Sequence, residues 1–129
     1  SGPDLGQRSV IEKIAMQAVM RIEAEKGHHP TDVSQHNLGY DIESLDPQTK
    51  RLRFIEVKGR QAEAKTVTLT RNEILTCLNS PDQFYLAIVL IEDNQVVDCH
   101  YLNYISLKDP GFNATSVNYN LEELVGIAE

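Results

Sequence analysis

Two acids and one lysine, Asp41, Glu56 and Lys58, have types and spacing that suit metal-dependent phosphodiester chemistry. Asp41 opens one strand-like segment, and Glu56-Val57-Lys58 lies within the next one. Lys58 is two residues beyond Glu56, so both side chains share one face of a strand. Oxygen ligands from carboxylates suit a hard divalent cation. A lysine nearby could deprotonate an attacking water or stabilise charge that develops on a phosphate, and the sequence leaves both roles open.

The segment Asp46–Lys50 sets how the two strands face each other. Its proline presets φ and its aspartate bonds locally to backbone, which is typical of a turn. If residues 47–50 form the loop and Asp46 faces Arg51, Asp41 lies opposite Glu56. Like charges directly opposite each other destabilise a pair of strands. A divalent cation between the two carboxylates would offset that repulsion, so the sequence predicts a metal site here.

A third acid, Glu12, lies on a predicted helix over residues 8–26, which Gly27 would end. Its apolar stripe has helical spacing and comprises Ile11, Ile14, Ala15, Ala18 and Ile22. Glu12 lies at the edge of this stripe, where it could supply an oxygen ligand to a metal. Glu23 lies on the same side, about 16 Å along the axis, so at most one of the two acids reaches the site. A solvated glutamate is the alternative for Glu12.

The remaining patterns predict an α/β fold, a mixed central sheet flanked by helices. Thr70-Arg-Asn-Glu73 is typical of a capping box at the start of a helix ending near Leu78. The apolar run Phe84–Ile91 is typical of a strand covered on both faces. Asn120-Leu-Glu-Glu123 could cap a last short helix. The predicted strands are Thr31–Gln35, 40–45, 51–58, 66–69, 84–91 and 96–102. We expect a single domain over 1–129, with a core of about 8–102.

The charge distribution is uneven. The net charge of −7 argues against a wide nucleic-acid footprint. However, residues 50–71 hold seven bases against two acids. Among these bases, Arg60, Lys65 and Arg71 are the candidates for nucleic-acid contact, and a solvated strand face is the alternative.

Other features limit the class of protein. Cys77 and Cys99 fit no zinc spacing, and we interpret them as reduced, partly buried thiols, consistent with a cytoplasmic location, or a nuclear one in a eukaryote. The four histidines also lack zinc spacing. No run approaches about 18 apolar residues, so no membrane span is expected. The chain begins Ser-Gly-Pro without methionine, and we expect a fragment of a longer protein.

The order of these elements and of the acidic motif resembles the core of the PD-(D/E)XK, or restriction-endonuclease-like, nucleases. Asp41 and Glu56-Val57-Lys58 match that motif, although Tyr40 replaces the proline of its name. More narrowly, the chain resembles the Protein NO VEIN C-terminal domain family over about residues 10–91. The segments that carry this resemblance are Ile11-Glu-Lys-Ile-Ala-Met16, Gly39-Tyr-Asp-Ile-Glu-Ser44, Phe54-Ile-Glu-Val-Lys-Gly59, Val67-Thr-Leu-Thr-Arg-Asn-Glu73 and Phe84-Tyr-Leu-Ala-Ile-Val89.

The resemblance implies metal-dependent hydrolysis of DNA, or of RNA. Asp41, Glu56, the Val57 backbone carbonyl and Glu12 would bind Mg²⁺ or Mn²⁺. The implied partners are nucleic acid, chiefly DNA, and helicase or ATPase domains in the same native chain, with a homodimer left open. Two alternatives remain. One is a catalytically inactive nucleic-acid-binding or protein-interaction module. The other is an ordinary α/β domain with a surface ion-pair network, in which Glu56 and Lys58 would be exposed.

Overall fold

The computed structural model describes residues 5–102 and 115–128. The helices are α1 (Leu5–Glu25), α2 (Arg71–Asn79) and α3 (Leu121–Ile127). The strands are β1 (His29–Asp32), β2 (Ile42–Asp46), β3 (Arg51–Gln61), β4 (Thr66–Thr70), β5 (Phe84–Glu92), β6 (Gln95–Leu102) and β7 (Ser116–Asn120). A short 3₁₀ turn covers Ser34–His36.

The main sheet is mixed, as predicted, with the strand order β1-β2-β3-β5-β6. Only β3 and β5 run parallel, and the other neighbours are antiparallel. Strand β4, which we predicted from alternation at 66–69, pairs instead with β7 in a separate two-stranded sheet. No pattern in the sequence predicted β7. Its pattern is half-exposed and alternating, and its pairing partner lies about fifty residues earlier in the chain.

The central strand β5 is buried on both faces, as its apolar run predicted. Ala87, Val89 and Ile91 pack with the apolar stripe of α1. The alternate residues Phe84, Leu86 and Ile88 pack with α2, α3 and β4. Helix α1 therefore covers one face of the sheet, and α2, α3 and the small sheet cover the other. None of the helices in the described ranges is long and apolar enough to cross a membrane.

The predicted register of β2 and β3 is confirmed. Asp46 faces Arg51, and Ile42 faces Ile55. The Asp46 carboxylate accepts a hydrogen bond from the Gln48 N–H at 2.9 Å, and Lys50 N–H donates to the Asp46 carbonyl at 2.7 Å. Lys50 has φ +61°, which closes the turn. The local chemistry of Asp46–Lys50 was thus sufficient to place Asp41 beside Glu56.

Several boundaries differ from the predictions. Helix α1 begins earlier than predicted, at Leu5, and ends at Glu25; Gly27, at φ +85°, ends it as expected. The strand predicted at Thr31–Gln35 was wrong: β1 is His29–Asp32, because the Asp32 carboxylate accepts from Ser34 N–H at 2.9 Å and turns the chain. Strand β3 continues three residues beyond the predicted end, to Gln61.

Both predicted helix caps are present. The Thr70 hydroxyl accepts from Glu73 N–H at 3.2 Å, and the Glu73 carboxylate accepts from Thr70 N–H at 2.9 Å. The Asn120 side chain accepts from Glu123 N–H at 2.9 Å at the start of α3. Cys77 is buried and Cys99 is half-buried, and neither forms a disulfide within the part of the chain that the structure describes.

Candidate functional site

The candidate site lies where β3 extends beyond the start of β2. In the described ranges β2 pairs with β3 only up to Ile55, so Val57–Gln61 has no strand partner on that side. Asp41 continues the pairing: its N–H donates to the Ile55 carbonyl at 2.9 Å, and its Oδ2 accepts from Val57 N–H at 2.8 Å. A side chain thus replaces a backbone partner, which fixes the Asp41 carboxylate at the edge of β3.

The two residues before Asp41, Gly39 and Tyr40, hold it in place. The ring of Tyr40 stacks on that of Phe54 with centroids 4.7 Å apart. Gly39 has φ +87°, and a Cβ there would lie 3.2 Å from the Asn72 carbonyl oxygen at the start of α2. The glycine therefore permits both the left-handed backbone and a close approach to α2.

Glu56 and Lys58 point to one face of β3, as their spacing predicted. Glu56 is only 3% exposed, and Lys58 Nζ lies 3.2 Å from its Oε2. The Lys58 side chain is itself 19% exposed. The surface ion-pair alternative required both residues to be exposed, so the structure contradicts it. Asp41, Glu56 and Lys58 form one half-buried cluster.

A fourth member of this cluster, Glu73, was missed by the sequence reasoning. Its Oε1 lies 3.0 Å from Lys58 Nζ and also accepts the Thr70 N–H hydrogen bond. The capping-box pattern identified Glu73 and correctly gave it a local role. Its second role depends on how α2 packs over β3, which no local pattern encodes. Lys58 is therefore held between two carboxylates, one from the sheet and one from the helix.

The crowding of acids changes their protonation. Burial and the neighbouring charge of Asp41 raise the pKa of Glu56 to about 10. Burial also raises the pKa of Asp41, although the Val57 N–H hydrogen bond opposes this. For Lys58 burial alone would lower the pKa, but the carboxylates of Glu56 and Glu73 raise it. The Glu56 carboxyl thus keeps its proton at neutral pH unless a cation compensates its charge.

The donor set suits a magnesium-type ion. Mg²⁺ is usually held by one or two carboxylates and retains several waters. Asp41 and Glu56 supply two carboxylates, and Val57, whose carbonyl was predicted as a ligand, lies between Glu56 and Lys58 and lines the same cleft. In the described residues no group of three or more His, Cys, Asp or Glu side chains is placed to hold a metal. The site therefore fits a partly hydrated cation and not a fully protein-ligated one.

The cluster opens into a cleft of about 480 Å³, here called the acidic cleft. Its lining includes Glu12, Asp41, Glu56, Lys58, Arg60 and Thr68. Glu12 thus reaches the cleft as predicted, but its side chain is exposed and no hydrogen bond or ion pair among the described residues joins it to the other acids. Of the three predicted nucleic-acid contacts, Arg60 lines the acidic cleft. Lys65 lines a separate depression beside α3, and Arg71 lies at the start of α2.

The other acid of α1, Glu23, belongs to a separate cluster. Its side chain is completely buried and accepts hydrogen bonds from Arg53 Nε at 2.9 Å and from the Tyr101 hydroxyl at 2.9 Å. His28 Nδ1 lies 2.9 Å from the same carboxylate. As expected, only one of the two helix acids reaches the site. Arg53, counted among the bases around it, is occupied elsewhere.

Comparison with protein families places these residues in context. The family model described as Protein NO VEIN, C-terminal, matches residues 11–102. The chain belongs to this family. The NO VEIN C-terminal match includes α1 from Ile11 onward, the strands of the main sheet and α2, and therefore every member of the cluster. It ends with β6, before β7 and α3. Comparison with curated proteins found no match, and comparison with solved structures found none.

Proposed function

We propose that this NO VEIN C-terminal domain is a metal-dependent nuclease that hydrolyses phosphodiester bonds of DNA, or of RNA, in the manner of PD-(D/E)XK enzymes. The observation that supports it is the burial of Glu56 at 3% exposure beside Asp41, with Lys58 Nζ 3.2 Å away. Two acids this close together and shielded from water are not both ionised unless a cation offsets their charge. A folded domain that retains this pair is suited to bind one.

The residues would divide the work as follows. Asp41 and Glu56, with the Val57 carbonyl, would hold Mg²⁺ or Mn²⁺. When bound, the ion would activate water and neutralise phosphate charge. The Lys58 ammonium is fixed between Glu56 and Glu73, so it would bind a phosphate oxygen and stabilise the charge that develops there. Glu12, exposed at the rim of the acidic cleft, would contact the ion only through water.

The native context belongs to the same proposal. A domain with a net charge of −7 has little basic surface for holding a long nucleic acid by itself. Helicase or ATPase domains in the same chain, or a second copy in a homodimer, would deliver the substrate. The proposed location is cytoplasmic, or nuclear in a eukaryote, where the nucleic-acid substrate is present.

The test combines metal binding with cleavage. Calorimetric titration with Mn²⁺ should detect binding by the wild-type domain and a large loss in Asp41→Asn. Nicking of plasmid DNA and cleavage of single-stranded substrates should require Mg²⁺ or Mn²⁺ and fall at least about 10²-fold in Lys58→Ala. Glu25→Gln, an exposed acid of α1, is the matched control and should match the wild type. A rate shared by wild type and Lys58→Ala would identify a contaminant and refute the proposal.

One observation favours the second candidate, a catalytically inactive binding module. Lys58 already has two carboxylate partners, at 3.2 and 3.0 Å, so the cluster is partly satisfied by protein groups alone. Such a network could be purely structural. Absence of Mn²⁺ binding at millimolar concentration, together with retained affinity for nucleic acid, would decide for the module.

A further inference from the structure

Arg60 differs sharply from Arg53, another arginine of β3. Arg53 donates two hydrogen bonds to Glu23, at 2.9 and 3.2 Å. Arg60 Nε is buried and has no hydrogen-bond partner in the part of the chain that the structure describes. An unsatisfied buried donor costs free energy, and more so on a charged group. A ligand that draws the Arg60 guanidinium outward would relieve this cost, and no ion pair would have to break.

Arg60 also lies where two clefts meet. It lines the acidic cleft and a second cleft of about 520 Å³, here called the arginine cleft. Arg8 of α1 and Glu63 line the arginine cleft as well. Because Glu12, Gly59 and Arg60 line both clefts, the two adjoin along the free edge of β3.

The spacing along β3 suits the repeat of a nucleic-acid backbone. Glu56, Lys58 and Arg60 alternate along one strand, so each is about 7 Å from the next. A strand of nucleotides carries one phosphate per nucleotide. If one phosphate faces Glu56 and Lys58, the next lies within reach of the long side chain of Arg60.

We propose that Arg60 binds the phosphate adjacent to the one that faces Asp41, Glu56 and Lys58. This inference rests on the proposed nuclease function and adds a second phosphate subsite to it. The guanidinium fork matches phosphate oxygens bidentately, which a lysine cannot do.

The arginine cleft has a further consequence for the size of the footprint. Arg8 and Arg60 are balanced there by Glu12 and Glu63, so its formal charge is zero. Attraction at a distance is therefore weak, and binding depends on hydrogen bonds that Arg60 itself donates. The domain should contact only a few phosphates, and the salt dependence of its binding should be shallow.

The test is binding of a short fluorescein-labelled single-stranded DNA, measured by anisotropy in Ca²⁺ over a series of salt concentrations. Arg60→Gln should weaken binding roughly tenfold. It should also make the slope of log binding constant against log salt concentration shallower by about 0.7, the value for one phosphate contact on a single strand. Arg60→Lys should restore the slope but only part of the affinity, and it provides a second arm if the glutamine variant folds poorly. Arg21→Gln is the matched control, because it removes the same charge from an exposed position of α1 that lines neither cleft.

The outcomes test the Arg60 subsite and the nuclease proposal separately. Loss of affinity and slope in Arg60→Gln, with Arg21→Gln unchanged, supports the subsite. Equal losses in both variants, no loss in either, or no binding by the wild type would overturn it. A domain that binds DNA through Arg60 but never cleaves it refutes the nuclease proposal alone. A domain that cleaves with the same KM in Arg60→Gln and wild type refutes the subsite alone.

Discussion

Replacing Glu23 by glutamine tests how much a buried carboxylate stabilises this domain. Burial alone would raise the pKa of Glu23, but hydrogen bonds from Arg53 and His28 outweigh it and lower the pKa from 4.5 to about 2. Since the folded value lies below the unfolded one, the ionised form stabilises the folded state. This contribution is fully present above pH 4.5 and is lost as the pH falls towards 2. At 1.36 kcal/mol per pKa unit it amounts to about 3 kcal/mol.

The assay is urea unfolding at several pH values between neutrality and about 3, for wild type and Glu23→Gln. At pH 7 the variant leaves the Arg53 guanidinium buried without its counter-charge, so it should be less stable by about 3–5 kcal/mol. The gap should narrow as the pH falls below 4.5, because acid then protonates Glu23 in the unfolded wild-type chain while the folded form stays ionised until about pH 2. Glu25→Gln, exposed on the same helix, should follow the wild-type curve. If the free energies of unfolding of wild type and Glu23→Gln fall by the same amount as the pH is lowered, the reasoning is refuted.

Two further predictions concern the elements that hold the site. Glu73→Gln retains an acceptor for the Thr70 N–H but removes the charge 3.0 Å from Lys58 Nζ, so the ¹⁵N NMR signal of the Lys58 amine should broaden while helix α2 stays capped. Thr70→Ala should instead lower the free energy of unfolding in urea by about 1 kcal/mol and leave the Lys58 signal sharp. A sharp Lys58 signal in Glu73→Gln would contradict a positioning role for Glu73. Gly59→Ala would place a Cβ 2.8 Å from a side-chain carbon of α1 and 3.0 Å from a backbone oxygen, and should lower stability by about 1–3 kcal/mol in thermal unfolding. Gly126→Ala, with nothing within 4 Å, is its control, and equal effects of the two substitutions would argue against close packing at Gly59.

The parts of the fold that the sequence predicted well depend on local rules. The turn at Asp46–Lys50 set the register of β2 and β3, because the length of the loop decides which residues of a hairpin face each other. The period of two along a strand then decides which side chains share a face. The capping box at Thr70 located the start of α2 to the residue. The apolar run of β5 predicted burial on both faces. In each case neighbours within a few residues carry the signal.

The features that the sequence did not reveal depend on contacts between distant parts of the chain. Strand β7 has a weak pattern of its own and pairs with β4 across a long separation. Glu23 and Glu12 share one side of α1 and similar surroundings in sequence. Glu23 is buried because Arg53 of β3 and Tyr101 of β6 both donate hydrogen bonds to its carboxylate. No local pattern distinguishes these two acids.

By itself the sequence determined that Asp41, Glu56 and Lys58 lie together, because a turn and the strand period are enough to bring them side by side. Only the tertiary structure decided that Glu56 is buried, that Glu73 joins Lys58 from α2, and that Arg60 rather than Lys65 lines the cleft. The physical reason is that register follows from local geometry, whereas burial and charge pairing depend on which elements pack over the strand. The tertiary structure thus turned a pair of facing acids into a cluster of four titratable side chains beside a cleft.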